Sequence, residues 1–294
     1  MEDVEGKVAF ITGGASGIGF GMARVFLGNG MKVAIADLQQ DRLDEAAAAL
    51  AGTNQGVHFM RVDVTDRAAM AAAADEVERV FGKVHVVCNN AGVGSGLTDM
   101  DEAGYDDWDF VFGTNVFGVI NGIVSFTPKI KAHGEGGHIV NTSSMAGLLP
   151  LPGGGGIYSA SKFAVRGISD SLRLNLKKHG IGVSVLCPGL TRSRLMESHK
   201  LRPAARSGGD VKAPSLTAPS PANSGMDPLE VGERVLQGIR DDDAYILPHG
   251  EFKDEVAGLF AEIVDGFPEG QEIDPGRLAF EEIRRRRTEE AKRG

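Results

Sequence analysis

Tyr158 and Lys162 stand four residues apart, so on a helix they share one face. A neutral phenol, with a pKa near 10, is a poor base at neutral pH. A neighbouring ammonium favours the phenolate, and the pair can then take a proton from an alcohol or return one to a carbonyl. Two residues on an amphipathic helix are the plain alternative. His138-Ile-Val-Asn-Thr-Ser-Ser144 reads as a strand running into Ser143 and Ser144, and either hydroxyl could polarise a carbonyl oxygen.

A second cluster suits a phosphate-bearing ligand. Gly13, Ser16, Gly17, Ile18 and Gly19 follow a β-branched run, Val8 to Thr12, and open a helical pattern. Glycines let the backbone turn sharply and approach a pyrophosphate, which a helix N-terminus favours electrostatically. Asp37 ends the next apolar run, 18 residues beyond Gly19. A carboxylate there accepts from both adenosine ribose hydroxyls and repels a 2′-phosphate, so the expected cofactor is NAD. The competing reading has Asp37 capping the helix that starts near Asp41. Asp63-Val64 and Asn89-Asn90-Ala91-Gly92 follow two further apolar runs. Asp63 is equally suited to a turn.

These clusters need a scaffold that brings strand ends together. Strands are expected at 8–12, 32–36, 57–62, 84–88, 138–141 and 181–187. Helices are expected at 17–29, 41–51, 66–81, 105–131 and 157–179, with Asp66 near an N-cap. Strands alternating with long helices imply an α/β, doubly wound parallel sheet of about seven strands, with its ligand beyond the strands' carboxyl ends. Further elements are expected at 228–240, 245–247, 251–264 and 278–292. The whole chain, 1–294, is expected to be one Rossmann-like domain. Residues 190–226, rich in Ser, Pro, Ala and Arg, are expected to form a lid, and 250–294 a C-terminal helical extension.

The Gly13/Gly17/Gly19 spacing, the Asn-Asn-Ala-Gly run and Tyr158-x-x-x-Lys162 together resemble the short-chain dehydrogenase/reductase family over residues 6 to about 193. That resemblance implies an NAD(H)-dependent oxidoreductase interconverting a secondary alcohol and a ketone. It implies that Asp63 meets the adenine amino group, Val64 the adenine ring, and that Asn90, Ala91 and Gly92 shape the cofactor cleft. Pro188-Gly189 with Thr191 or Ser193 would hold the nicotinamide carboxamide, and Lys162 would also lie near the nicotinamide ribose. Aligned on Ser-Ser-x-Ala-Gly, the catalytic serine falls on Ser144. Asn115 matches the family's helix asparagine, expected to anchor a water that links Lys162 to solvent. The extended branch of the family has wider glycine spacing and is set aside. Residues 193–203, the Ala-Tyr-Ile-Leu-Pro-His249 segment and the long C-terminus also resemble lignin-type β-aryl-ether Cα-dehydrogenases, implying a bulky benzylic alcohol. A steroid or another hydrophobic alcohol is the alternative substrate, and a non-catalytic NAD(H) sensor, expected to lack the Tyr–Lys pair, the alternative function. Pairing of long helices in that family implies a homodimer or homotetramer.

Composition limits the other possibilities. The net charge of −9 argues against a nucleic-acid or anionic-membrane surface, and the run Arg284–Arg287 lies among glutamates. No apolar stretch approaches the roughly 18 residues of a membrane helix, and no signal-peptide pattern is visible, so a cytoplasmic protein is expected. Cys88 and Cys187 read as small buried hydrophobes. The histidines show no metal-ligand spacing, so no metal is expected. Trp108 and the phenylalanines from Phe110 to Phe117 read as core or subunit interface rather than substrate wall.

Overall fold

The structure, a computed structural model, describes residues 1–52, 56–95, 98–202 and 225–293. Short runs of β-branched and small apolar residues suit strands covered on both faces. They form β1 (Val8–Thr12), β2 (Lys32–Asp37), β3 (Val57–Arg61), β4 (Val86–Asn89), β5 (Gly137–Thr142), β6 (Ile181–Leu186) and β7 (Tyr245–Ile246). The longer periodic segments form α1 (Gly17–Gly28), α2 (Gln40–Ala49), α3 (Arg67–Phe81), α4 (Tyr105–Phe112), α5 (Gly118–His133) and α6 (Gly156–Leu176). Helices α7 (Pro228–Asp241), α8 (Lys253–Asp265) and α9 (Pro275–Arg293) follow. Among the described residues the strands pair in parallel in the order β3-β2-β1-β4-β5-β6-β7. This is the doubly wound sheet that the sequence pattern implies. Strand order reverses between β1 and β4, which opens a crevice at their carboxyl ends.

The pleat divides the core into two layers. Ala9 and Ile11 of β1, with Val33 and Ile35 of β2, face α1, α2 and α7. Val8 and Phe10, with Ala34 and Ala36, face α3 and α5 on the other side. The Phe10 and Phe126 rings stack there with centroids 4.2 Å apart. Asp66 caps α3, its carboxylate accepting from the Ala68 and Ala69 N–H groups. Cys88 and Cys187 are buried free thiols, as expected of small core residues.

The segment expected as one helix over 105–131 contains a wider turn. A π-helical turn, Gly113–Phe117, separates α4 from α5. Asn115 sits on it, and its side chain bonds both the N–H and the carbonyl of Val93 at 2.8 and 2.9 Å. The combined run Tyr105–His133 is long and apolar enough to cross a membrane, which the sequence reading did not anticipate. Half of that apolar window is buried, with Phe126 and Ile130 packed into the core, so its apolarity serves the sheet.

Helices α1 and α7 meet through two glycines. A Cβ on Gly21 would lie 2.1 Å from the Pro228 carbonyl oxygen, and one on Gly232 would lie 2.8 Å from the Gly21 carbonyl. This contact aims the N-terminus of α1 at the crevice. Overpacking such a contact costs on the order of 1–3 kcal/mol. Gly21→Ala should therefore lower the melting temperature by several degrees, whereas Gly28→Ala, where a Cβ meets nothing within 4 Å, should leave it equal or higher. A thermal melt of the two variants checks this, and equal melting temperatures would contradict the packing argument.

Candidate active site

The carboxyl ends of β1, β2, β4 and β5 border a cavity of about 580 Å³. Its walls include Gly13, Ser16, Gly17, Ile18, Asp37, Asp63, Val64, Asn90, Ala91 and Gly92. Ser144, Tyr158, Lys162, Pro188, Gly189, Thr191 and Ser193 complete the set of expected residues on its surface. Gly19 and Asn115 are not in the lining; they stand behind it.

At the glycine end the backbone makes the cradle. Gly13 and Gly17 have φ of +60° and +49°, a region that L side chains rarely adopt, and a Cβ on Gly19 would lie 2.2 Å from the Gly13 carbonyl. Ser16 makes no side-chain cap and the first turn of α1 carries no acidic residue, so the helix offers open N–H groups to an anion. The Thr12 hydroxyl accepts from the Asn90 and Ala91 N–H groups at 2.9 and 3.0 Å, and the Asn90 amide donates to the Thr12 carbonyl at 3.0 Å. Asn90 thereby staples the end of β4 to the loop. The cradle fits a dinucleotide's pyrophosphate.

Asp37 does not cap the following helix, whose N-cap is Gln39. Its carboxylate accepts from the Ala15 and Gln39 N–H groups at 3.3 and 3.2 Å. Burial raises its pKa against those hydrogen bonds and the nearby Arg42. Asp63 lines the cavity and also closes a turn, its carboxylate accepting from the Thr65 N–H and hydroxyl at 2.9 and 2.8 Å.

Across the cavity the two serines part company. Ser143 borders the cavity but is buried, and its hydroxyl is turned away to donate to the Lys162 carbonyl at 2.7 Å. Ser144 is half-buried, its hydroxyl accepting from the Ala146 N–H at 3.1 Å, and it stands close enough to Tyr158 to favour the phenolate. Lys162 is buried, with its ammonium donating to the Thr142 carbonyl at 2.9 Å and lying 5.4 Å from the Tyr158 ring centre. Ser161 links this group to Asn115, donating to the Tyr158 carbonyl at 2.7 Å and accepting from the Asn115 amide at 3.0 Å.

The electrostatics differ from the simple expectation that Lys162 lowers the phenol. Burial pushes Tyr158 up, opposed by the Ser144 hydroxyl, and burial pushes Lys162 down to about 8. In the protein alone, burial is the largest influence on both groups.

Several cavity residues were not anticipated. Residues 195–201 form a 3₁₀ stretch, and Leu195, Met196, Ser198 and Leu201 line the cavity. The Ser198 hydroxyl accepts from the Gly94 N–H at 2.9 Å. Arg194 pairs with Glu45 at 3.0 Å and Arg202 with Asp107, tying this wall to both sides of the cleft. Phe110, expected in the core or an interface, lines the cavity instead, because the turn of α4 that carries it faces the 195–201 wall. The remainder of the expected lid, 203–224, lies outside the described residues. The composition of 190–226 and the resemblance of 193–203 to Cα-dehydrogenases pointed to a cover over the cleft, but neither says which side chains turn inward.

Among the described residues one cluster has the atoms of a metal site: His85, His133 and Glu135, near the amino ends of β1 and β4. Its nitrogens are already engaged. His85 Nδ1 accepts from the Val8 N–H at 3.2 Å and its Nε2–H faces Glu135 at 3.0 Å. His133 Nδ1 accepts from the Glu135 N–H at 3.1 Å and Nε2–H donates to the Val84 carbonyl at 2.9 Å. Lys83 and Lys7 add positive charge, and Lys83, His85 and Lys7 together hold Glu135 down to about 2. The cluster is a hydrogen-bonded brace.

A doubly wound sheet with a glycine cradle, an acidic end to β2 and a Ser–Tyr–Lys group defines a dinucleotide-dependent oxidoreductase. The sequence model of the short chain dehydrogenase family matches residues 7–203, and the chain belongs to that family. A C alpha-dehydrogenase of Sphingobium sp. (strain NBRC 103272 / SYK-6) is 40% identical over 269 residues, covering 90% of this chain and 88% of its own. A short-chain dehydrogenase structure from Novosphingobium aromaticivorans is 39% identical with a TM-score of 0.85, covering 100% of this chain and 99% of its own. One from Burkholderia phymatum, in complex with NAD, is 33% identical with a TM-score of 0.83, covering 93% and 100%. The two resemblances read from the sequence, to the family and to Cα-dehydrogenases, both hold.

The displaced pKa of Lys162 has a thermodynamic consequence. Its folded value near 8 is below the ordinary 10.5. The ammonium therefore destabilises the fold fully below pH 8, and this cost fades as pH rises from 8 to 10.5, where the unfolded chain binds more protons. Lys162→Met removes the term. Its stability relative to wild type should fall by about 3 kcal/mol between pH 7.5 and pH 10.5. Denaturant unfolding at both pH values measures this, and a pH-independent difference would contradict it.

Proposed function

We propose that the protein is an NAD(H)-dependent oxidoreductase that interconverts a secondary alcohol and its ketone, with a bulky aromatic alcohol as substrate. The observation that carries this reading is the convergence of Ser144, Tyr158 and the buried Lys162 on one cavity with the glycine cradle. When bound, the dinucleotide accepts or returns the hydride. Gly13, Ser16, Gly17 and Ile18 hold its pyrophosphate, backed by Gly19, while Asp63 and Val64 line the adenosine side and Asn90, Ala91 and Gly92 line the cleft from the glycine loop to Lys162. Asp37 accepts from the ribose hydroxyls, and its charge disfavours a 2′-phosphate; this supports NAD over NADP. Pro188, Gly189, Thr191 and Ser193 face the carboxamide.

Ser144 holds the substrate oxygen and Tyr158 takes its proton during oxidation or returns it during reduction. The ammonium of Lys162, and the positive charge of the oxidised nicotinamide, oppose the upward shift that burial gives the phenol. Asn115, held at the π turn, anchors the water through which Lys162 exchanges protons with solvent. Leu190, Leu195, Met196, Leu201 and Phe110 give the alcohol side of the cavity an apolar wall. That wall and the Cα-dehydrogenase relative favour an aryl-substituted alcohol over a small one. We read residues 190–202 as the inner part of a lid that excludes water. Exposed Phe117, Val124 and Phe163 beside the groove of Ile120, Ile123, Ile168 and Leu172 support pairing of α5 and α6 with a second copy.

Tyr158→Phe tests the chemistry. The ring keeps its packing while the proton carrier is lost, so NADH should still bind with nearly unchanged affinity. Turnover should fall by on the order of 10²–10⁴-fold. Fluorescence titration with NADH and a rate assay on one alcohol make the comparison; activity near wild type would exclude Tyr158 as the acid–base group.

A further inference from the structure

We propose that His249 is a positioning residue that fixes the Pro188–Leu190 turn and, through it, the nicotinamide end of the cofactor cleft. The proposal rests on the NAD(H) reading above. His249 follows β7 and is 5% exposed, although it stands 60 residues beyond the turn it touches. Its Nδ1 accepts from the Gly189 N–H at 2.9 Å, and its Nε2–H donates to the Leu190 carbonyl at 3.1 Å. These partners define one neutral tautomer, with the ring bridging two successive residues of the turn.

The ring is held as well as bonded. Its centroid lies 6.4 Å from that of Phe252, edge to face. A Cβ on Gly189 would lie 2.9 Å from the His249 ring and 2.7 Å from the Phe252 ring, so the turn lies against the pair in a way that only glycine permits. The same turn reaches the Ser–Tyr group. The Pro188 carbonyl accepts from the Met145 N–H at 2.9 Å and from the Ser144 hydroxyl at 3.4 Å. The Leu190 carbonyl also accepts from the Met226 N–H at 2.9 Å, at the far end of the 190–226 segment. One imidazole therefore sets the position of backbone that borders the nicotinamide, Ser144 and the start of the substrate wall. Asp37 and the glycine loop, at the adenosine end, do not touch it.

That separation gives a readout that loss of general packing would not reproduce. NADH and ADP-ribose share the adenosine and pyrophosphate, but only NADH reaches the turn. In His249→Phe, the Kd of NADH should rise about tenfold, the effect of roughly one lost hydrogen bond, while the Kd of ADP-ribose stays within about twofold. His249→Asn places an amide oxygen near the former Nδ1 and should restore NADH affinity to within about threefold of wild type. If His249→Phe does not fold, His249→Gln, whose amide reaches the Leu190 carbonyl but not the Gly189 N–H, carries the same expectation. Equal weakening of both ligands, no weakening of either, or no recovery in His249→Asn would each overturn the clamp. Wild-type protein that binds neither ligand would instead overturn the cofactor reading, and the clamp with it.

Discussion

The arrangement depends on keeping the Lys162 ammonium out of water. Burying a charge is expensive unless it is paired and hydrogen-bonded, and among the described residues no carboxylate pairs with this one. The Thr142 carbonyl at the end of β5 supplies a hydrogen bond. Ser143 ties the backbone carbonyl of Lys162 to the same strand end, so the helix and strand cannot separate without losing both contacts. Gly92 leaves room for the ammonium, since a Cβ there would lie 3.4 Å from it. Residues from β5, α6, the π turn and the loop after β4 thus meet around one cation whose proton affinity is lowered to about 8.

That cost has a functional counterpart. Burial lowers the Lys162 ammonium to about 8 and raises the Tyr158 phenol, which separates their proton affinities, so the phenol keeps its proton in the protein alone and the positive charge of an oxidised cofactor would be needed to release it. The opposite half of the cleft is built from backbone. Glycines expose N–H groups at the start of α1, and Thr12 and Asn90 lock β1 to β4 so that the cradle keeps its shape. The Pro188–Leu190 turn joins the halves, because it touches Ser144 on one side and begins the wall of 195–201 on the other.

Much of this was legible in the sequence where the signal is local. Tyr158 and Lys162 share a helix face, the glycine loop joins adjacent elements, and Asp37 closes a strand. Their spacing therefore fixes their relation before any tertiary contact is known. Ser143 and Ser144 are equivalent by spacing, and only the resemblance to the short-chain family separated them. In the structure the difference is that Ser143 turns back to its own scaffold. The π turn was hidden because an extra residue in one turn leaves the apolar periodicity nearly unchanged. Phe110 and His249 were hidden because their roles arise from chain segments far away in sequence. His249 in particular shows no ligand spacing, and its neighbours along the chain say nothing of Gly189.

The central claim is that these groups oxidise a secondary alcohol with NAD. The direct measurement is kcat/KM for a bulky 1-aryl secondary alcohol, followed as reduced nicotinamide absorbance, with NAD and with NADP as alternative cofactors. The account predicts turnover with NAD, and an efficiency with NADP lower by at least about tenfold because Asp37 repels the added phosphate. Equal efficiency with NADP, or NADH binding without oxidation of aryl, steroidal or aliphatic alcohols, would contradict it.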